Sequence, residues 1–163
     1  MTRRPLILFL LFALTTAVFA QTESEKKDDF WISVNGDGTF YGSSGLTFGG
    51  GLSLGYGSGS SIGIKAMWYV STDNVNVFEL NFIVRFYLQG SQAYQGPFVQ
   101  FMGGPTFYNS MEAAAIPAEV GMISAGFCFG WRFLFLNRWF VEPSIRAGFP
   151  YIAAVGAAAG VRF

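Results

Sequence analysis

The stretch NVFELNFIVRFYLQ, residues 76–89, separates two kinds of side chain at alternate positions. One set is uniformly large and apolar: Phe78, Leu80, Phe82, Val84, Phe86 and Leu88. The other set is mixed and includes Glu79, Asn81 and Arg85. A period of two places the sets on opposite faces of a β-strand, whereas a helix would mix them around its circumference. The length suits a tilted membrane-spanning strand, which needs about 9 to 11 residues.

The same alternation recurs in seven further stretches of the chain. It is regular in residues 46–56, 61–70, 119–133, 139–149 and 154–163, and weaker in residues 30–40 and 97–108. Most connections between these stretches are short and contain glycine, asparagine or serine, which tight turns favour. Residues 109–118 form the one longer insertion, either a loop or a turn or two of helix. Eight strands joined by hairpins therefore form an antiparallel meander.

The two faces of these strands differ in composition. One carries Phe, Leu, Val and Trp almost without charge, and the other carries small residues with a few long polar ones. A soluble lipocalin-like barrel would turn the apolar face inward. An eight-stranded interior is only just wide enough for side chains, so we expect glycines and polar groups inside and aromatic rings against lipid. The predicted fold is all-β, an eight-stranded antiparallel up-and-down transmembrane β-barrel, closed because open edges are costly in hydrocarbon.

Long polar side chains on the inner face are the candidate functional residues. We expect one lumen network made of Lys65, Glu79, Arg85, Gln100, Arg132, Glu142, Arg146 and Arg162. Five cations against Glu79 and Glu142 would leave excess positive charge, which could line a narrow anion-preferring passage. The alternative is a plugged lumen, which we favour because eight strands leave little room for water.

Aromatic residues also gather near the predicted strand ends. An interfacial girdle of a membrane barrel would use such positions, and its candidates are Trp68, Tyr69, Trp131, Trp139, Phe149 and Tyr151. An even number of strands places both ends of the barrel sequence on one side of the membrane, which we expect to be the periplasmic side.

The supply of reactive side chains is limited. The sequence has no histidine, which excludes histidine-based triads and histidine metal sites. Its single cysteine, Cys128, cannot form an internal disulfide and is expected to be a small lumen filler. Glu79 and Glu142 could in principle work as a catalytic carboxylate pair, but beside inward cations we expect ion pairs. We therefore predict no catalytic residues, no metal, no cofactor and no enzymatic activity.

The first twenty residues have the pattern of a secretory signal peptide. Arg3 and Arg4 precede an apolar run, and Val18 and Ala20 supply small residues at a cleavage site. The predicted organisation is a signal peptide at 1–20, a polar tail at 21–29 and the barrel at 30–163. Cleavage would leave eight basic residues against ten acidic ones, a net charge of −2, so we expect no nucleic-acid partner.

Through this pattern, rather than through a discrete motif, residues 30–163 resemble the small eight-stranded bacterial outer-membrane barrels, the group that includes the OmpA transmembrane domain, OmpX and OmpW. In contrast to full-length OmpA, we expect no peptidoglycan-binding domain after the barrel. The resemblance implies an outer-membrane location, contact with outer-membrane lipid, and periplasmic chaperones and the barrel assembly machinery as partners. The aromatic Phe163 resembles the terminal signal that this machinery reads. A structural or interaction barrel is the expected function; a narrow pore, or an OmpW-like conduit for small hydrophobic molecules, is the alternative.

Overall fold

Eight antiparallel strands close into a barrel in the order in which they follow along the chain. The computed structural model describes residues 29–41, 45–71, 75–88, 95–110 and 119–163. The strands are β1 (Asp29–Tyr41), β2 (Gly45–Gly57), β3 (Ser60–Ser71), β4 (Val75–Tyr87), β5 (Gly96–Ser110), β6 (Glu119–Phe135), β7 (Trp139–Phe149) and β8 (Tyr151–Arg162). The predicted signal peptide, residues 21–28 of the tail and residues 111–118 of the insertion lie outside the described residues.

The barrel closes between its first and last strands. β1 pairs antiparallel with β8 from Trp31 opposite Arg162 to Tyr41 opposite Tyr151, so both strands have a hydrogen-bonded neighbour on each side. This confirms the predicted eight-stranded antiparallel barrel. Within the described ranges, no helix is long and apolar enough to cross a membrane.

The outer face of the wall is apolar, as predicted from the alternation. Large side chains such as Leu52, Phe82 and Phe127 point outward and each exposes more than half of its surface. Inward neighbours on the same strands, such as Ser53, Asn81 and Cys128, are buried. The period of two therefore assigned the two faces correctly. Met122 is an exception, because the alternation in residues 119–133 groups it with the inward Ser124 and Cys128, whereas it is exposed near a register shift between β5 and β6.

The contents of the lumen differ from the prediction. Small and polar residues do not fill it alone, because six aromatic side chains are buried there: Trp31, Tyr69, Tyr87, Phe98, Phe140 and Tyr151. Tyr69 and Tyr151 were expected in the interfacial girdle, and this assignment is wrong. The reason is steric, since most of these rings lie over glycines on other strands: Trp31 over Gly55, Tyr69 over Gly49, Phe98 over Gly130, Phe140 over Gly160 and Tyr151 over Gly126 and Gly148. The glycines make room for inward rings.

Candidate functional site

The structure brings most of the predicted polar residues together in the lumen. Seven of the eight are buried on inward faces: Lys65 on β3, Glu79 and Arg85 on β4, Gln100 on β5, Arg132 on β6, and Glu142 and Arg146 on β7. Arg162 is the exception. It lies at the end of the barrel, where its Nε donates to the Asn137 carbonyl (2.8 Å) and its Nη1 pairs with Asp29 (3.3 Å). Its assignment to the lumen network is corrected accordingly.

The lumen groups form two clusters, of which the first is centred on Glu142. Arg85 Nη1 donates to Glu142 Oε1 at 2.7 Å, and Arg132 Nε donates to the same oxygen. The Gln100 side-chain oxygen accepts from Arg85 Nε and Nη2 at 3.0 and 2.8 Å. One carboxylate thus joins arginines from β4 and β6, and the charge-assisted bonds offset part of the cost of burying three charges.

Aromatic rings enclose the two arginines of this cluster. The Arg85 Cζ atom lies 4.2 Å from the Phe98 ring centroid and 4.9 Å from that of Trp31. The Arg132 Cζ atom lies 3.8 Å from the Phe140 centroid and 5.2 Å from that of Trp31. Such cation–π contacts gain strength when the groups are desolvated. We call Trp31, Arg85, Phe98, Gln100, Arg132, Phe140 and Glu142 the arginine–aromatic cluster.

The second cluster is centred on Asp37 and Arg146. The Asp37 Oδ2 atom is 3.3 Å from Lys65 Nζ and 3.2 Å from Arg146 Nε, and the Tyr69 hydroxyl donates to it at 3.2 Å. Arg146 Nη1 also pairs with Glu79 Oε2 at 3.2 Å, and Arg146 Nη2 donates to the Tyr69 hydroxyl. We call Asp37, Lys65, Tyr69, Glu79 and Arg146 the Asp37 cluster. It contains two cations and two carboxylates.

Asp37 is the functional residue that the sequence reasoning missed. The signal was present, because Asp37 continues the inward series of Trp31, Ser33 and Asn35 beyond Gly36. With Asp37 inside and Arg162 at the barrel end, the described lumen holds four buried cations against three buried carboxylates. The expected lumen of five cations and two acids is therefore wrong, and the charge is nearly balanced.

A small polar cavity separates the two clusters. Its volume is about 20 Å³, and residues of both clusters line it, including Asp37, Lys65, Arg85 and Glu142. A buried water molecule needs roughly 10 to 15 Å³ of cavity volume, so the cavity accommodates one or two waters. Cys128 also lines this cavity as a buried, free thiol. Within the described residues, no group of three or more potential metal-ligating side chains occurs.

Comparison with known proteins gives a likeness of structure without a likeness of sequence. No protein-family model matches the chain, and no related sequence is found among curated proteins. The N-terminal β-barrel domain of Pseudomonas aeruginosa OprF superposes with a TM-score of 0.55 at 18% identity, covering 83% of this chain and 97% of that one. Neisserial surface protein A (NspA) superposes with a TM-score of 0.60 at 10% identity, covering 83% of this chain and 95% of that one. Identities this low compare folds only, and the fold that this chain shares with both proteins is a small closed eight-stranded β-barrel.

Proposed function

We propose that this protein is a non-enzymatic outer-membrane barrel with a closed lumen, which has a structural or interaction role in the cell envelope. The observation behind this proposal is the pair of side-chain clusters that cross the lumen. The Arg85–Glu142 and Glu79–Arg146 ion pairs both join β4 to β7 through the interior, at two different levels of the barrel. A solute moving along the barrel axis would have to break both ion pairs.

The energetics of buried ion pairs favour a permanently closed lumen. Separating one partner leaves an uncompensated charge away from water, which costs about 3 to 5 kcal/mol. Around Glu142, aromatic rings occupy the space that water would need to replace the lost contacts. Interior side chains can fill an eight-stranded barrel completely, so the lumen acts as a packed core.

The competing functions have less support. An anion-preferring pore was suggested by excess lumen cations, and the excess falls from three charges to one because Asp37 lies inside and Arg162 lies at the barrel end. An OmpW-like conduit would need an apolar and open interior, whereas the cavity between the two clusters is small and lined mainly by polar side chains. Neither alternative has a specific contact in its favour.

Location and partners belong to the same proposal. We infer export through cleavage of residues 1–20, insertion into outer-membrane lipid, and assembly with periplasmic chaperones and the barrel assembly machinery. The outward Phe163 ring lies beside Phe30 of β1, with centroids 6.3 Å apart, so the proposed terminal signal would sit at the seam where the barrel closes. Heat-modifiable migration in detergent gels and recovery in the outer-membrane fraction are the expected results. A detergent-free soluble monomer would contradict the membrane location.

Planar-bilayer recording of the refolded protein tests the closed lumen. We expect no steady conductance above the lipid background, with a large porin inserted under the same conditions as the positive control. Steady anion-selective conductance steps that disappear in Arg85→Glu or Arg146→Glu would contradict the closed lumen and support the pore. Uptake of an apolar dye that depends on the protein would favour the conduit instead.

A further inference from the structure

Arg132 is completely buried, yet most of its hydrogen-bond donors have no acceptor. Its Nε donates to Glu142, whereas Nη1 and Nη2 have no hydrogen-bond partner among the described residues. Each of these two nitrogens carries two N–H groups, because a guanidinium has five donors in all and only one of them is on Nε. A buried donor without an acceptor is costly, and in native proteins it often indicates a bound water or ion.

A second unpartnered donor lies beside this guanidinium. Trp31 is also completely buried, and its Nε1 has no hydrogen-bond partner in the described part of the chain. The Arg132 Cζ atom lies 5.2 Å from the Trp31 ring centroid. An indole N–H and a guanidinium can only donate hydrogen bonds, so neither can satisfy the other. Both groups require an acceptor.

The excess positive charge of the lumen is in the same place. Arg85 and Arg132 share the single carboxylate of Glu142, so the arginine–aromatic cluster has one positive charge in excess. The Asp37 cluster has two cations and two carboxylates. Its own unpartnered arginine nitrogen, Arg146 Nε, lies 3.2 Å from Asp37 Oδ2 and so has a countercharge. Among the described lumen groups, the missing negative charge therefore belongs beside Arg132.

The surroundings of Arg132 favour a small anion over water or a larger anion. A water molecule would accept hydrogen bonds from Nη1 and Nη2 but would leave the buried excess charge uncompensated. The rings of Phe140, Trp31 and Tyr87 surround the guanidinium, with centroids 3.8, 5.2 and 5.5 Å from Cζ. Sulfate or phosphate would place several oxygens against these rings without donors, whereas a halide has no such oxygens.

We propose that Arg132 Nη1 and Nη2, with Trp31 Nε1, bind one chloride-like monovalent anion inside the barrel. Arg132 lies near the Phe135 end of β6 and Trp31 near the start of β1, so the site is close to one end of the barrel. Asp37 lies further along β1, so an ion entering from this end does not pass the Asp37 cluster. The anion is thus a resident countercharge of a closed lumen, and the inference goes beyond the proposed function.

Bromide is the probe, because it is close to chloride in size and gives an anomalous X-ray signal. Reversible urea unfolding of the refolded full chain in lipid vesicles is measured while sodium bromide replaces sodium gluconate at constant ionic strength. The ratio of folded to unfolded protein should rise and level off in proportion to site occupancy, by about tenfold when bromide reaches ten times its dissociation constant. No stabilisation, or a rise that never begins to saturate, would overturn the site.

Three variants identify the donors. Arg132→Met leaves Arg85 and Glu142 as a balanced pair, so it should fold and lose the saturable bromide response. Arg162→Met is the matched control, because it makes the same substitution at the barrel end, where Arg162 pairs with Asp29, and it should keep the response.

Trp31→Phe keeps a buried ring and removes only the indole N–H, so it should weaken bromide binding about fivefold, the effect of one hydrogen bond. This variant also tests the site if Arg132→Met fails to fold. Loss of the response in Arg162→Met, or unchanged bromide affinity in Trp31→Phe or Arg132→Met, would contradict the proposed donors.

Crystals grown in sodium bromide locate the ion directly. We expect an anomalous peak within hydrogen-bond distance of Arg132 Nη1 or Nη2. Peaks only at exposed groups such as Arg138 would indicate an adventitious ion only and would overturn the site. Bilayer recording remains the separate test of the closed lumen. A conducting barrel with the saturable response would reject closure and keep the anion site, and a closed barrel without the response would reject the site alone.

Discussion

Asp37 and Lys65 form a buried ion pair across one intervening strand. Their Oδ2 and Nζ atoms are 3.3 Å apart, and the side chains reach each other from β1 and β3 over the inner face of β2. Asp37 also contacts Arg146 of β7, so a single carboxylate joins three strands that are not neighbours. Contacts of this kind stabilise the barrel cross-section in addition to the backbone ladder.

Asp37→Asn should therefore destabilise the barrel. Removing the charge takes away the carboxylate that pairs with both Lys65 and Arg146 in a buried site, at an expected cost of about 3 to 5 kcal/mol. Reversible urea unfolding in lipid vesicles measures this free energy. Asp29→Asn is the control, since Asp29 pairs with Arg162 at the partly exposed barrel end, where loss of a pair costs about 1 kcal/mol or less. Equal losses in the two variants would show that Asp37 has no special role.

Phe140→Ala should weaken the arginine–aromatic cluster. The buried ring packs on the Arg132 guanidinium and on Trp31, with a Trp31 centroid distance of 6.4 Å. Truncating a buried phenylalanine costs about 3 to 5 kcal/mol. Phe129→Ala, on the lipid face of β6, should cost clearly less, because lipid can fill the space. Urea unfolding of both variants tests the difference, and a larger loss at Phe129 would contradict the packed-lumen interpretation.

Two adjacent glycines should respond in opposite directions to alanine. At Gly50, on the outer face, an added Cβ has only one neighbour, the Asn35 carbonyl oxygen at an ordinary 3.5 Å, so Gly50→Ala should stabilise the strand by about 0.5 to 1 kcal/mol. At Gly51, an added Cβ would overlap the Ala66 carbonyl oxygen and the Met67 sulfur. Gly51→Ala should destabilise by about 1 to 3 kcal/mol. Thermal unfolding of both variants measures the sign of each change in stability. Changes of the same sign would refute the assignment of Gly50 to the outer face and Gly51 to the inner face.

A charge on the lipid face should be expensive. Phe82 lies near the middle of β4 and points outward with 54% of its surface exposed. Phe82→Arg should cost about 2 to 4 kcal/mol in a bilayer, as arginine does near the midplane of membrane barrels. Phe82→Leu should have little effect, because it preserves an apolar contact with lipid. Folding yield into vesicles and urea unfolding measure the cost. If Phe82→Arg has the same folding yield and the same free energy of unfolding as the wild type, this position does not face a bilayer.

Much of the wall could be predicted from sequence because its pattern is local. In residues 76–89, the face of each side chain follows from its position in the alternating pattern, without knowledge of any other strand. The short turns, including Leu136 and Asn137 with their positive φ values of 50° and 60°, separate strands visibly in the sequence. Strand ends were less well predicted, as shown by Asn109 and Ser110, which belong to β5 rather than to the insertion.

The lumen was harder to predict because its contacts are not local. Asp37 could be placed on the inner face by extending the alternation, yet its partners Lys65 and Arg146 depend on how three strands are offset around the closed barrel. The same holds for Tyr151, whose ring occupies space left by Gly126 and Gly148 on β6 and β7. A pattern within one strand contains no information about that offset.

The sequence by itself determined the number of strands, their antiparallel order and the apolar face, since all three follow from a period of two interrupted by turns. Tertiary structure alone decided which lumen charges meet. It joined Glu142 to Arg85 and Arg132 and moved Arg162 to the barrel end. The physical reason is that strand register and closure set side-chain partners across the lumen, and these are properties of the whole sheet.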